Sequence, residues 1–442
     1  MTATLDQVKV PANRDRWIDT WEPENPAFWE ATGAKVARRN LVFSILSEHI
    51  GFSVWTMWAS LVLFLGPKYG FTPADKFLLT SVPALVGSVL RLPYTFAVAK
   101  FGGRNWTVIS ALLLLVPLVA TIAVLKPGVS LGTLLLVGAL AGVGGGNFAS
   151  SMTNINSFYP ERLKGRALGL NAGGGNLGVA AVQLAALLVL ATAGKTHPRL
   201  LVGIYIPLVL VAATLAFATM DNLVGAKSSK HAMRDVAKDP HTWVMSFLYI
   251  GTFGSFIGFG FAFGQVLTVQ FKSDFPTPLS AAYLTFLGPL LGSLIRPVGG
   301  MLADRFGGAR VTAINFVAMA GAASIVLAAS IQKSLDLYLV GFVALFVLSG
   351  VGNGSTYKMI PAIFSAKLPS LTEARRLSGA LIGIAGAIGA FGGVLVNVAF
   401  RQSFLSTGKA DGAYIGFIAF YGVCVVVTYV VYLRKGHRLA GV

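Results

Sequence analysis

The chain has 442 residues, of which 55% are hydrophobic and only 12% are charged. Soluble domains carry about 25% charged residues, so this composition excludes a soluble globular protein and predicts one that crosses a lipid bilayer several times. The formal net charge of +18 does not indicate a nucleic-acid partner, because the basic residues are scattered over short loops and form no single patch.

About twelve apolar stretches each approach the ~20 residues that a helix needs to cross the hydrocarbon core. The predicted spans cover residues 40–64, 75–98, 106–125, 131–158, 167–193, 200–219, 242–270, 279–302, 309–330, 337–365, 378–400 and 413–433. Lys and Arg are more frequent in the tails and in alternate loops than in the other loops. This asymmetry predicts that both termini are cytoplasmic.

The spans divide the chain into five segments. We expect a cytoplasmic N-terminal segment at 1–36, a six-helix half at 37–219, a cytoplasmic linker at 220–241, a second six-helix half at 242–433 and a cytoplasmic tail at 434–442. The N-terminus lacks the short apolar run of a cleavable signal peptide. Trp17, Trp21 and Trp29 are predicted to lie at the membrane interface. Cys424 is the only cysteine and is predicted to be a packing residue, which leaves no disulfide or cysteine-based metal site.

The two halves repeat each other. The matching pairs are Ile50-Gly51-Phe52 with Ile257-Gly258-Phe259, Arg91 with Arg296, Gly142-Val-Gly144 with Gly350-Val-Gly352, and Gly165, Gly169, Gly175 and Gly178 with Gly379, Gly383, Gly389 and Gly392. Four helix pairs in the same order predict two six-helix halves related by an axis along the membrane normal. Secondary transporters built in this way hold their substrate near the midplane, between the halves.

Arg91 and Arg296 are the charges that this repeat places at equivalent positions inside apolar spans. A charge at the centre of a span costs roughly 2.5–3.5 kcal/mol on insertion scales, so it normally faces a cavity and serves a function. Two arginines, one in each half, therefore predict one central site held from both sides. The alternative is a structural role, in which each arginine pairs with carbonyls of neighbouring helices.

Glu48 and Lys358 are the other charges that we expect inside the membrane, at similar depths in spans 1 and 10. They could pair across the halves, either as a gate or simply to neutralise each other. Alternatively, Glu48 together with His49 could carry a coupling proton, since burial disfavours the ionised form of a carboxyl group. Asp304 and Arg305, at a predicted cytoplasmic loop, are expected to belong to a gate.

Several motifs resemble those of a known family. Gly300-Met-Leu-Ala-Asp304-Arg305-Phe-Gly-Gly-Ala-Arg310 resembles the loop motif of the major facilitator superfamily, and Lys100-Phe-Gly-Gly-Arg104 keeps only the end of that motif. The stretches Asn147-Phe-Ala-Ser-Ser151, Gly165 to Gly178 and Gly379 to Gly393 are similar to those of its nitrate/nitrite porter family. The resemblance implies an all-α integral membrane protein with twelve transmembrane helices in two pseudo-symmetric halves, and a monomer without cofactor or metal.

The resemblance also implies a function. It predicts a secondary transporter that moves nitrate and nitrite across the cytoplasmic membrane by alternating access, for nitrate assimilation. A titratable Glu48 favours nitrate/proton symport; the alternatives are nitrate/nitrite antiport and, more distantly, a facilitator for another small anion. An enzyme is not expected, because the sequence contains no constellation of nucleophile, metal ligands or paired acids.

The family assigns roles to particular residues. Arg91 and Arg296 would bind the planar anion, Phe148 and Phe253 would be the rings beside it, and Tyr249 and Asn176 would be neutral polar contacts. The sliding glycines would be Gly169, Gly173, Gly175, Gly383, Gly386 and Gly389. Guanidinium is a planar fork that can meet two oxygens of a flat anion at once, which agrees with this assignment. Ordinary packing of the two phenylalanines, and a helix-tying role for Asn171 and Asn176, remain the plainer alternatives.

Overall fold

The computed structural model describes residues 16–224, 230–434 and 442. The described part is almost entirely helical. Its twelve long helices are α1 (Ala34–Phe64), α2 (Pro73–Phe101), α3 (Gly103–Val124), α4 (Leu131–Phe158), α5 (Glu161–Thr192), α6 (Pro198–Thr219), α7 (Pro240–Gln270), α8 (Pro278–Phe306), α9 (Gly308–Gln332), α10 (Leu335–Lys367), α11 (Leu371–Thr407) and α12 (Asp411–Leu433). The predicted linker lysine Lys227 and the tail residues 435–441 lie outside the described residues.

Eleven of these helices, α2 to α12, are long and apolar enough to cross a membrane. Helix α1 has 31 residues but is less apolar, because it buries a row of polar side chains inside the bundle: Asn40, Ser44, Ser47, Glu48, Ser53 and Thr56. Its polarity therefore reflects an inward-facing position rather than a position outside the membrane.

Several helices are longer than the predicted spans. Helix α11 was predicted at 378–400 and extends over Leu371–Thr407, which is 37 residues. At 1.5 Å per residue this length exceeds the ~30 Å of the hydrocarbon core. Its first turns contain the charged residues Glu373 and Arg376, which hydropathy alone could not assign to the helix.

The chain's first described residues pack against one end of the bundle, which we call the terminal face. The short strand β1 (Trp17–Ile18) pairs in parallel with β2 (Asn222–Leu223), which directly follows α6. Asp221 accepts hydrogen bonds from Arg16 at 3.2 Å and from the side chain of Asn40 at 2.9 Å. The N-terminal segment and the start of the linker are thus fastened together on the first half.

The tryptophans predicted at the membrane interface make specific contacts within the protein. Trp29 is buried, and its ring centroid lies 5.6 Å from that of Tyr159. The indole of Trp21 donates a hydrogen bond to the carbonyl oxygen of Phe158 at 3.2 Å. These residues tie the N-terminal segment to the end of α4.

The two halves meet closely at the opposite face, away from the termini. There the hydroxyl of Thr80 on α2 donates to the side-chain oxygen of Asn397 on α11 at 2.9 Å. The amide of Gln183 on α5 donates to the carbonyl oxygen of Gly260 on α7, also at 2.9 Å. The ring of Phe77 stacks on the rings of Phe400 and Phe404, with centroids 5.8 and 5.5 Å away. Hydrogen bonds and stacked rings thus close this side of the bundle.

Candidate functional site

Arg91 lies between the two halves and is fully buried. Its Nε donates to the carbonyl oxygen of Gly145 on α4 at 3.2 Å, and its Nη1 donates to that of Gly386 on α11 at 2.9 Å. The first bond stays within one half, and the second crosses to the other. Its Nη2 has no hydrogen-bond partner among the described residues.

Aromatic rings from both halves surround this guanidinium group. Its central carbon lies 4.5 Å from the ring centroid of Phe148 on α4 and 4.9 Å from that of Phe253 on α7. Those two rings are 6.0 Å apart, with 26° between their planes. Phe253 belongs to a π-helical turn, Ile250–Gly254, a local irregularity that is frequent at functional sites. Cation–π attraction therefore holds the guanidinium where the halves meet.

Arg296 on α8 supplies the second buried cation. Its Nη2 donates to the hydroxyl of Tyr249 at 3.4 Å, and the ring of Tyr249 stacks on that of Phe253 at 5.3 Å. The guanidinium also lies over the ring of Tyr357 on α10, 5.4 Å from its centroid. Its Nη1 has no partner among the described residues. Both predicted arginines thus join one aromatic cluster.

The cluster contains buried polar atoms without a partner in the described part of the chain, namely Arg91 Nη2, Arg296 Nη1 and the Tyr357 hydroxyl. A buried donor that makes no hydrogen bond costs about 1–3 kcal/mol, and more when it is charged. An excess of cationic and neutral donors is the arrangement expected of a site that receives an anion. Asn176 is buried in α5, and both atoms of its side-chain amide lack a partner among the described residues, so its contact with the anion remains a prediction.

Glu48 on α1 is the acidic residue nearest to this cluster, within electrostatic reach of both arginines. Its Oε2 accepts a hydrogen bond from the amide of Asn171 at 2.7 Å, and that amide also donates to Ser151 at 2.6 Å. Ser151 in turn bonds Ser44 at 2.9 Å. Oε1 of Glu48 is buried without a partner in the described chain. The carboxyl group is therefore held by neutral groups rather than by a cation.

The predicted pairing of Glu48 with Lys358 was wrong for this structure. The Nζ of Lys358 instead lies 2.7 Å from Oδ1 of Asp304 on α8, and both side chains are substantially exposed, at 42% and 60%. The reason is the direction in which Lys358 projects: its Cγ lies 3.9 Å from where a Cβ on Gly300 of α8 would be. The sequence did not show which side of α10 Lys358 occupies, and that side decides its partner.

Arg305, the other predicted gate residue, lies next to this ion pair. Its guanidinium is 5.2 Å from the ring centroid of its neighbour Phe306, at the end of α8. The pair of Lys358 and Asp304 links α10 to α8 within the second half. A gating role for these residues remains a prediction.

The six predicted sliding glycines have three different surroundings. A Cβ on Gly175 would lie 2.1 Å from Oε1 of Glu48, and a Cβ on Gly389 would lie 2.4 Å from the ring of Tyr249. A Cβ on Gly383 would lie 3.2 Å from Met233, and a Cβ on Gly386 would lie 3.6 Å from Arg91. In contrast, Gly169 and Gly173 would meet no atom within 4 Å.

Gly175 and Gly389, which the repeat makes equivalent, therefore each leave a notch for a polar side chain of the site. We expect Gly175→Ala to lower the stability of the purified protein by about 1–3 kcal/mol, because the Glu48 carboxyl would have to leave its bond with Asn171. Gly165→Ala, in the same helix but with no neighbour within 4 Å, is the matched control and should be neutral or stabilising by up to ~1 kcal/mol. Thermal unfolding in detergent measures both, and equal midpoints for the two variants would contradict the notch.

A cavity of about 200 Å³ leads from this cluster towards the terminal face. Its lining includes Arg91, Phe148, Tyr357 and Gly386 at one end, and Arg375 and Arg376 in the first turns of α11 at the other. Ala232 and Met233 of the linker helix, Lys230–Ala237, also line it. In the described part of the chain, this cavity leads towards the terminal face, whereas contacts between the halves hold the opposite face together.

Tyr357 is a cavity residue that was not predicted from the sequence. It precedes Lys358 in the stretch Gly350 to Lys358, where the charge of the lysine drew attention. The sequence did contain a signal for it: Tyr357 is a tyrosine on a helix predicted to line the cavity, directly before Lys358. The structure places its ring on Arg296, whereas Lys358 lies outside the cluster.

Comparison with known proteins agrees with this architecture. The profile of the Major Facilitator Superfamily matches residues 45–397. The chain is 39% identical to the nitrate/nitrite transporter NarU of Salmonella typhimurium, over 96% of this chain and 98% of that protein. It is 34% identical to the probable nitrate/nitrite antiporter NarK2 of Thermus thermophilus, over 95% and 97% respectively.

Among solved structures, a D-xylose-proton symporter matches with a TM-score of 0.66 at 14% identity, over 88% of this chain and 96% of the other. At that identity the match concerns the fold alone, and it confirms the predicted two-half helical architecture. The sequence matches define the branch within it: the chain belongs to the nitrate/nitrite transporters of the Major Facilitator Superfamily.

Proposed function

We propose that this protein transports nitrate and nitrite across the cytoplasmic membrane by alternating access. The observation that carries the proposal is the pair of buried arginines, one from each half, which meet in one aromatic cluster and each keep a guanidinium nitrogen unpaired. The names of the relatives, nitrate/nitrite transporters, supply the substrate.

The chemistry of the cluster suits a small planar anion. Guanidinium nitrogens in a fixed plane can donate to two oxygens at once. Arg91 and Arg296 carry two positive charges against one carboxyl group, that of Glu48. An anion of charge −1 would therefore neutralise the site when Glu48 is ionised. The apolar rings around it favour a weakly hydrated ion over a strongly hydrated one.

Alternating access requires that the site open to each side in turn. In this conformation the cavity leads to the terminal face, which we propose is cytoplasmic, and the opposite face is closed by the contacts of Thr80 with Asn397 and of Gln183 with Gly260. These contacts would have to break for the site to open outwards. The structure would then correspond to a state that faces the cytoplasm.

Weakening the closed face should shift this equilibrium. We expect Thr80→Val to increase the outward-open population about fivefold, because it removes one hydrogen bond worth about 1 kcal/mol between the halves. Spin labels at the exposed positions Lys68 and Lys409, in a background without the buried Cys424, would report this as a larger long-distance component. Thr121→Val, which loses only a bond to Pro117 within α3, is the control. Equal distance distributions in wild type and Thr80→Val would contradict the assignment.

For the coupling mode, we favour proton symport. An ionised Glu48 lowers the positive potential of the site, and its protonation would raise the affinity for the anion. By linkage the bound anion would equally favour protonation, so that proton and nitrate would bind together. Antiport is the second candidate. It is favoured by the name of the Thermus relative and by the neutral hydrogen bonds of Glu48, which would suit a purely structural carboxyl group.

Nitrate flux in liposomes that contain the purified protein tests these proposals. Nitrate entry driven by an inward proton gradient into vesicles with an empty lumen would support symport. Entry that requires nitrite inside the vesicles would support antiport and overturn symport. An absence of nitrate or nitrite flux under both conditions would overturn the proposed function.

A further inference from the structure

Tyr357 lines the cavity beside the arginine cluster and carries a hydroxyl to which no role has been assigned. The hydroxyl is buried and has no hydrogen-bond partner among the described residues. The ring packs against the Arg296 guanidinium, 5.4 Å from ring centroid to guanidinium carbon, and lies 6.2 Å from the ring of Tyr249. Packing of the ring alone would be satisfied equally well by phenylalanine, so the hydroxyl requires its own explanation.

The surroundings of this hydroxyl are those of the anion cluster. Tyr357 lines the same cavity as Arg91, Phe148 and Gly386. It lies within electrostatic range of Arg91, Arg296 and Glu48. The hydroxyls of two other buried tyrosines of the second half are paired: that of Tyr249 accepts from Arg296, and that of Tyr421 bonds Ser255 at 2.8 Å.

Three helices thus present an unpaired donor to one site. Arg91 Nη2 comes from α2, Arg296 Nη1 from α8 and the Tyr357 hydroxyl from α10. Nitrate has three oxygens that accept hydrogen bonds, whereas nitrite has only two. A site built to donate a hydrogen bond to a particular ligand atom discriminates against an analogue that lacks it, because the donor is then left buried and unpaired.

We propose that the Tyr357 hydroxyl donates a hydrogen bond to an oxygen of bound nitrate and makes the site prefer nitrate over nitrite. The inference rests on the proposed function, since it concerns the same site. The two arginines would donate hydrogen bonds to the oxygens of either anion, and the tyrosine hydroxyl would donate to the third oxygen, which nitrite lacks. Tyr357 is thereby a specificity-determining residue on α10.

Tyr357→Phe tests this, because it removes one oxygen and leaves the ring on Arg296. We would measure the equilibrium binding of nitrate and of nitrite to the purified wild-type protein and to the variant. The KM of transport for each anion would be measured in liposomes. We expect nitrate to bind about tenfold more weakly to the variant and nitrite within about twofold of wild type. Without ligand, the thermal midpoint should be unchanged or higher, because an unpaired buried hydroxyl has been removed.

Tyr94→Phe is the matched control. The Tyr94 hydroxyl is likewise buried and unpaired in the described chain, but its ring packs edge-on against Trp106, 4.9 Å away, outside the residues that line the cavity. Both affinities should stay at wild-type values in this variant. The control separates loss of a substrate contact from the general effect of deleting an unpaired hydroxyl.

The outcomes are distinct. Wild-type nitrate affinity in Tyr357→Phe would overturn the inference and leave Tyr357 as a packing residue. Equal weakening of nitrate and nitrite would overturn the role in specificity. If wild-type protein bound neither anion, the proposed function itself would fail, and the inference with it.

Discussion

Arg91→Lys is expected to reduce nitrate uptake into liposomes by about 100-fold, the equivalent of about 3 kcal/mol. Lysine cannot bond the carbonyls of Gly145 and Gly386 together, as the guanidinium group does at 3.2 and 2.9 Å. Its strongly hydrated ammonium group is also a poorer partner for the rings of Phe148 and Phe253. Lysine keeps the positive charge, so the loss of uptake would measure the contribution of the shape of the guanidinium group and not that of its charge.

Arg104→Lys provides the control for Arg91→Lys. Arg104 is also a buried arginine that donates to a backbone carbonyl, that of Phe217 at 2.8 Å, and lies over the Phe217 ring at 4.3 Å. It lies outside the central cavity, so its substitution should preserve uptake once folding has been verified. Uptake by Arg91→Lys at the wild-type rate would refute the assignment of the central site.

Glu48→Gln is expected to abolish the stimulation of nitrate uptake by an inward proton gradient. A glutamine keeps the oxygen that accepts from Asn171 but never becomes negative, so it resembles the protonated carboxyl group. In wild type, nitrate affinity should rise as pH falls through the titration of Glu48, by about 5- to 150-fold for a typical coupling energy. In the variant, affinity should stay at the low-pH value throughout. Nitrate binding from pH 5 to 8, together with flux with and without the gradient, measures both effects.

Asp239→Asn is the comparison for Glu48→Gln, because it removes a carboxylate that pairs with Lys367 at 2.5 Å and that has no role in the proposed site or gate. Gradient-driven uptake should persist in it. If Glu48→Gln also retained gradient-driven uptake, the proton role would be excluded and antiport would become the better account.

The central site could be predicted from the sequence because its two arginines are charged residues in otherwise apolar spans. Arg91 and Arg296 are charges in apolar spans at equivalent repeat positions, and the resemblance to the porter family selected Phe148 and Phe253 from thirty phenylalanines. The structure brings all four into one cluster. The fold followed from the same features, since twelve long apolar stretches with an internal repeat allow few arrangements.

The residues that were missed or misjudged depend on the direction of a side chain around its helix axis. Lys358 and Glu48 were placed at similar depths, but Lys358 projects from α10 towards α8 and bonds Asp304. Its neighbour Tyr357 projects into the cluster. Adjacent helical residues point in directions about 100° apart around the helix axis. The sequence pattern does not give the rotation of the helix about that axis, so it could not show which of the two residues faced the site.

The glycines show the same limit. Gly173 and Gly175 belong to one glycine-rich motif, yet Gly173 faces open space and Gly175 accommodates the carboxyl group of Glu48. The sequence identified the helix whose backbone is approached closely, but only the packing of α1 against α5 shows where that approach occurs.

The pairing of β1 with β2 has a mechanical consequence for the alternating access proposed above. Strand β2, Asn222–Leu223, is fixed to the first half, whereas the linker helix that begins at Lys230 is joined to the second half by the ion pair of Asp235 with Arg376 at 2.7 Å. Seven residue steps separate Leu223 from Lys230, and a fully extended chain of that length reaches about 25 Å at most. The covalent length of the chain thus sets an upper limit to how far the two anchors, Leu223 and Lys230, can part while both stay in place.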